Sequence, residues 1–220
     1  SSPGDSIQCT ATASDSYDGT ASDSDAVDVV NTPPEISISP LGSPVFNEGA
    51  AVSLAASASD DDEDDSGLSI AWSSSTDGYL GSGASISIST LSAGAHTITA
   101  TVTDSELGTA SDTVTLTINA LPTAPTVTIA LDPGPDPAKT SDDLIATASG
   151  SSDPDSSGTV TYSYAWYEGD VLSTASTSAT FPQASTSKHL TYKVVVTPND
   201  GLGDGPTGEA EVTITNSAPT

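Results

Sequence analysis

Six consecutive carboxylates, residues 60–65, stand in the segment ASASDDDEDDSGLSIAWSS. Like charges this close repel, so the segment needs either full solvation or a cation to hold it together. Calcium suits such a run: it takes hard oxygen ligands from carboxylates and carbonyls in lenient geometry, where zinc and magnesium are more exacting. Asp60, Asp62, Asp64 and Asp65 are the candidate ligands here. A sparser set comprises Asp153 and Asp155 in SSDPDSSG, with Asp104, Asp200 and Asp204 following alternating apolar runs. The spacing is not that of an EF-hand, because the sixth position from Asp60 is Asp65 and the twelfth is Ala71, where glycine and glutamate belong. Two other readings stay open: a solvated acidic turn, and the general surface acidity of a salt-adapted protein.

Other chemistry is poorly served. His96 and His189 are isolated in sequence from any serine, cysteine or metal ligand at a diagnostic spacing, so neither reads as a catalytic base. Acidic pairs could suggest a glycosidase, but they recur in repeated loops, and catalysis rarely needs one site per repeat. Trp72 and Trp166 lie in phase with apolar residues, which points to core packing rather than sugar stacking. There is no glycine-rich phosphate loop, and the chain is expected not to be an enzyme.

The formal net charge is -27 at pH 7, with three lysines and no arginine. That leaves almost no cationic surface for phosphates, which excludes nucleic acid and anionic membranes as partners. No apolar run is long enough to cross a membrane, so no membrane insertion is expected in this segment. The absence of an initiator methionine and of a signal-like segment reads as a portion of something longer. Serine and threonine dominate the polar residues, which suits strands at an extracellular surface.

These carboxylates must be positioned by strands. Short runs alternate apolar and polar residues between clusters of Gly, Pro, Asp and Ser, and no segment keeps a helical period. The runs VVNTPPEISI, INALPTAPTVTI and ITNSAPT repeat a junction in which a strand ends at Asn31, Asn119 or Asn216 and proline follows. Junctions fall roughly ninety residues apart, the length of an immunoglobulin-type sandwich. Five strands per repeat can be assigned: Ile36 and Ile38, or Val127 and Ile129; Val52 and Leu54, or Leu144 and Ala146; Leu68, Ile70 and Trp72, or Val160, Tyr162, Tyr164 and Trp166; Ile98, Ala100 and Val102, or Tyr192, Val194 and Val196; and Val114, Leu116 and Ile118, or Ala210, Val212 and Ile214.

LSAGAHTITATVTDSELGTASDTVTLTIN resembles the closing half of a bacterial PKD-type (polycystic-kidney-disease-type) immunoglobulin-like domain, and DDLIATASGSSDPDSSGTVTYSYAWYEGD with YKVVVTPNDGLGDG resembles a related tandem repeat. The resemblance implies an all-β chain of tandem immunoglobulin-like (PKD-like) β-sandwiches in an elongated string, on extracellular surface or filament proteins. The expected organisation is residues 1–31 as the last two strands of an incomplete immunoglobulin-like domain, residues 32–119 and 120–217 as full domains, and residues 218–220 opening the next junction.

In such a sandwich the loop between the second and third strands, the loop between the last two, and the incoming linker share one pole. That gathers Asp60, Asp62, Asp64, Asp65 and Asp104 in one repeat, and Asp153, Asp155, Asp200 and Asp204 in the next, as a possible Ca2+ site in each. Cys9 lies six residues before Asp15, as Ile98 lies six before Asp104, so it sits on a next-to-last strand. Its partner is then expected upstream or on another chain; packing as a small buried thiol is the alternative.

Two functions fit. One is an extracellular structural or adhesive protein in a fibre, stalk or surface filament, with other copies or repeats and calcium as partners. The other is a spacer or polysaccharide-binding accessory module of a secreted hydrolase. Binding sugar needs a row of exposed aromatics; Tyr17, Tyr79 and Tyr167 are the exposed candidates and do not line up, which favours the structural reading.

Overall fold

The computed structural model describes residues 3–61, 65–134, 137–155 and 159–215. Strands account for nearly all of its regular structure, and among the described residues there is no α-helix. The chain forms two units, Ser1–Ile118 and Asn119–Thr220.

The first unit opens with a hairpin, β1 (Ser6–Ser14) and β2 (Thr20–Asp28), paired over its full length from Ser6↔Asp28 to Ser14↔Thr20. A sandwich follows, built from β3 (Glu35–Ile38), β4 (Val45–Asn47), β5 (Val52–Ser59), β6 (Ser69–Ser74), β7 (Gly78–Ser82), β8 (Ser85–Ile88), β9 (Gly94–Thr103) and β10 (Thr109–Asn119). One sheet runs β3-β5-β8 and the other β4-β10-β9-β6-β7. Alternation along the strands turns Val52, Leu54, Ile70, Trp72, Ile98, Ala100 and Val102 into a single core that joins both sheets. The Trp72 indole is fully buried, and its Nε1–H donates to the Gly83 carbonyl at 2.9 Å, which removes the cost of burying that donor.

The second unit repeats the plan with β11 (Thr126–Asp132), β12 (Asp143–Ser149), β13 (Thr161–Glu168), β14 (Val171–Leu172), β15 (Thr180–Phe181), β16 (Thr191–Asn199) and β17 (Gly208–Thr213). Sheet β11-β12-β15 faces sheet β14-β13-β16-β17 across a core around Trp166. Trp166 Nε1 donates to the Ser178 carbonyl at 2.9 Å, the counterpart of the Trp72 bond. Phe181 packs between Trp166 and Tyr192, with ring centroids 5.3 and 5.1 Å away and tilted planes, an arrangement favoured by the ring quadrupoles. Each three-stranded sheet against a sheet that contains the tryptophan strand is the arrangement of an immunoglobulin-like sandwich.

The five strands per repeat predicted from sequence are all present. Five short ones, β4, β7, β8, β14 and β15, lie outside that set, and they complete the sheet edges.

Candidate functional site

The turn between β9 and β10 is organised by Asp104, which is 5% exposed. Its backbone N–H donates to the Gly108 carbonyl at 3.1 Å, and the Gly108 N–H donates back to Asp104 Oδ1 at 2.7 Å. Leu107 takes the left-handed conformation, φ 72°, to close the turn. The second oxygen, Oδ2, accepts a hydrogen bond from the side-chain amide of Asn31 at 2.8 Å. Gly108 must be bare here: a Cβ would lie 2.3 Å from Asp104 Oδ2 and 2.7 Å from Asn31 Nδ2. The junction residue is therefore pinned to the hairpin of the sandwich that follows it.

The second sandwich does the same. The Asn119 side chain donates to Asp200 Oδ2 at 2.9 Å, while the N–H groups of Leu202 and Gly203 each donate to Oδ1 at 2.7 Å. Burial pushes the Asp200 carboxyl up, but these donors outweigh it and hold the group below its usual range. The adjacent Ala120 N–H donates to Asp155 Oδ2 at 2.7 Å, and Asp153 Oδ1 accepts from the Asp155 N–H at 3.3 Å. Asp155 and Asp200 thus hold residues 119–120, and Asp153 holds the Asp155 backbone. Asp204 instead accepts from Asn199 Nδ2 at 2.8 Å.

Of the acidic run in the first sandwich, Asp60 follows β5 directly, and Asp65 opens a single 3-10 turn, Asp65–Gly67. Asp62 and Asp64 lie outside the described residues. Among the described residues no three acidic, histidine or cysteine side chains converge closely enough to hold a metal ion. Two acceptors at these poles are nonetheless buried without a hydrogen-bond partner: Asn31 Oδ1 and Asp153 Oδ2. Sequence reasoning placed the aspartates at one pole but did not see that the junction asparagines are their donors. The signal was available, since Asn recurs at every junction.

One constellation escaped the sequence altogether. His96, 2% exposed, receives Ser74 Oγ at 2.8 Å on Nδ1 and meets the Ser92 carbonyl at 2.7 Å on Nε2; Asp77 Oδ2 is 3.6 Å from Nδ1. Serine, histidine and aspartate are together, but the serine and the carboxylate address the same ring nitrogen. A nucleophilic relay needs them on opposite nitrogens. Ser74 is also only 6% exposed, and its Oγ accepts the N–H groups of Thr76 and Asp77. The set is a turn brace. His189 is exposed, at φ 67°.

Tyr17 and Tyr79 are exposed, whereas Tyr167 is half-buried with Lys193 Nζ 5.3 Å above its ring centre, which corrects its reading as exposed. Cys9 is a free thiol on the surface of β1. No described helix is long and apolar enough to cross a membrane.

No family model matches this chain, and no curated protein matches it. Three solved structures match most of this chain at identities of 14–17% and TM-scores of 0.43–0.46. Titin domains A168–A170 share 17% identity over 96% of this chain and 75% of theirs, TM-score 0.43. A Ca2+-stabilized adhesin with which an Antarctic bacterium binds ice shares 15% over 98% of this chain and 58% of its own, TM-score 0.46. The eight N-terminal Ig domains of the Down Syndrome Cell Adhesion Molecule share 14% over 96% of this chain and 31% of theirs, TM-score 0.45.

Proposed function

We propose that this chain is a stretch of an extracellular structural or adhesive protein, built of tandem PKD-like immunoglobulin modules in a fibre, stalk or surface filament. The observation that carries the reading is the repeated latch, Asn31 to Asp104 and Asn119 to Asp200. A protein whose modules serve only as loose spacers has no use for a linker pinned twice by the same pair of residues; one that bears or transmits load does. The charge of -27, with three lysines and no arginine, supports a surface setting where cations and neutral partners are met. The natural partners are further repeats or other copies of the same protein, with surface polysaccharide as the target of adhesion.

Calcium at the acidic poles adds to the stiffening in this reading. Supporting it are the buried, unpartnered oxygens Asn31 Oδ1 and Asp153 Oδ2, each next to aspartates that already hold the linker. A hard cation is the ligand that such acceptors favour.

Backbone relaxation by NMR tests the proposal. Residues 31–34 and 119–122 should be as ordered as the strands, with order parameters of about 0.85, and should loosen in Asn31→Ala and Asn119→Ala respectively. Linkers already mobile in the wild type would favour the spacer of a secreted hydrolase instead.

A further inference from the structure

The β1–β2 hairpin repeats the β9–β10 hairpin residue for residue. Asp15 N donates to the Gly19 carbonyl at 2.9 Å and Gly19 N to Asp15 Oδ1 at 2.8 Å, as in the Asp104 and Gly108 turn. Asp18 takes φ 64° where Leu107 takes 72°. A Cβ on Gly19 would lie 2.7 Å from Asp15 Oδ2, the counterpart of the Gly108 crowding. The ladder agrees as well: Ala11↔Asp23 and Ala13↔Ala21 in the hairpin match Ala100↔Asp112 and Val102↔Ala110.

The two hairpins differ in what covers them. Ile98, Ala100 and Val102 are fully buried, whereas Ile7 is 50% and Val27 64% exposed on the same face. In the sandwich, Asp112 accepts from the Thr113 N–H on Oδ1 and from the Ile38 N–H of β3 on Oδ2, at 2.7 and 2.8 Å. Asp23 keeps the first bond, with the Ser24 N–H at 3.0 Å on Oδ1. Asp15 likewise keeps the Oδ1 bond that Asp104 takes from Gly108, here from the Gly19 N–H. The oxygens matching those that receive Asn31 and Ile38 are Asp15 Oδ2 and Asp23 Oδ2. The second sandwich is a poorer template, because Gly208 stands at the position of Asp112.

We propose that the β1–β2 hairpin is a receptor for the leading strands of another sandwich of this repeat, recognised by an asparagine side chain on Asp15 Oδ2 and, seven residues later, a main-chain N–H on Asp23 Oδ2. The inference rests on the tandem-module reading and identifies its contact residues. Charge argues for this occupant: residues 3–31 carry Asp5, Asp15, Asp18, Asp23, Asp25 and Asp28 and no basic side chain, so the face takes hydrogen-bond donors. The outer edge of β1 at residues 9–14 corresponds to the stretch of β9, residues 98–103, that pairs with β6.

The test splices a copy of residues 31–93 directly ahead of Asp5 in the full chain, because Asp5 corresponds to Gly94. The Cys9 thiol, the sole cysteine, reports burial through its rate of reaction with a thiol reagent. The expected result is at least about 100-fold slower reaction in the fusion than in the parent. Asp23→Ala, made in both fusion and parent, should narrow the difference between their rates at least about tenfold, as should Ala in place of the added Asn31. A fusion whose Cys9 reacts as fast as the parent's, or whose added tryptophan stays solvent-exposed, overturns the proposal. So does a protected Cys9 that is indifferent to both substitutions. Failure of the tandem-module reading shows separately, as loss of hydrogen-exchange protection in residues 32–118 and 120–215 of the parent.

Discussion

The Asn31 side-chain amide donates to Asp104 Oδ2 at 2.8 Å across 73 residues of sequence, onto a carboxylate that is 5% exposed. Removing the donor leaves one oxygen of a buried charge unsatisfied. Asn31→Ala should therefore cost the first sandwich about 1–3 kcal/mol in urea unfolding, while the second keeps its midpoint. A double-mutant cycle with Asp104→Ala should return a coupling of about 0.5–3 kcal/mol; additive single effects would show that the contact holds nothing.

Asp200 gives the pH dependence. Its folded-state carboxyl titrates below the unfolded one, so its contribution is fully present above the ordinary carboxylate range and is lost as pH falls through the lowered value. The second sandwich should lose stability on acidification below about pH 4. Asp200→Asn should lower its stability at neutral pH, because an NH2 group then replaces one of the two accepting oxygens and meets an N–H donor, and should flatten the acid limb of the curve.

Trp72 and Trp166 hold equivalent core positions at zero exposure. Trp72→Ala should cost about 3–5 kcal/mol, enough to unfold a small sandwich, and its signature should be lost protection in residues 32–118 alone. Trp166→Ala should do the same to residues 120–215. Cross-effects of equal size would contradict two separate cores.

For calcium, differential scanning calorimetry in chelator and in millimolar calcium should show a higher midpoint with the ion, because a ligand that binds only the folded state stabilises it by mass action. Asp153→Asn should remove the rise in the second sandwich. Identical midpoints would leave the poles as hydrogen-bonded turns.

The strands around the two tryptophans were legible because one face of each is buried, which forces apolar residues into every second position, as in Ile98, Ala100 and Val102. The edge strands β7 and β8 were not: Gly78–Ser82 carries two glycines and little alternation, and Ser85–Ile88 alternates strictly but is only four residues long. Asp104 and Asp200 were legible as matching positions from repetition alone. Their partners were not, because Asn31 and Asp104 meet only through the fold, and nothing local in DSELG or NTPPE announces an acceptor or a donor. The buried Ser74 and His96 pair, 22 residues apart, failed for the same reason.

Single-molecule force spectroscopy on the full chain, pulled from its two ends, tests most directly whether these are sandwiches in series. The account predicts two separate rupture events, each releasing about 30 nm of extended chain, one of which weakens in Asn31→Ala. A single cooperative rupture of the whole chain, or extension without any rupture peak, would contradict it.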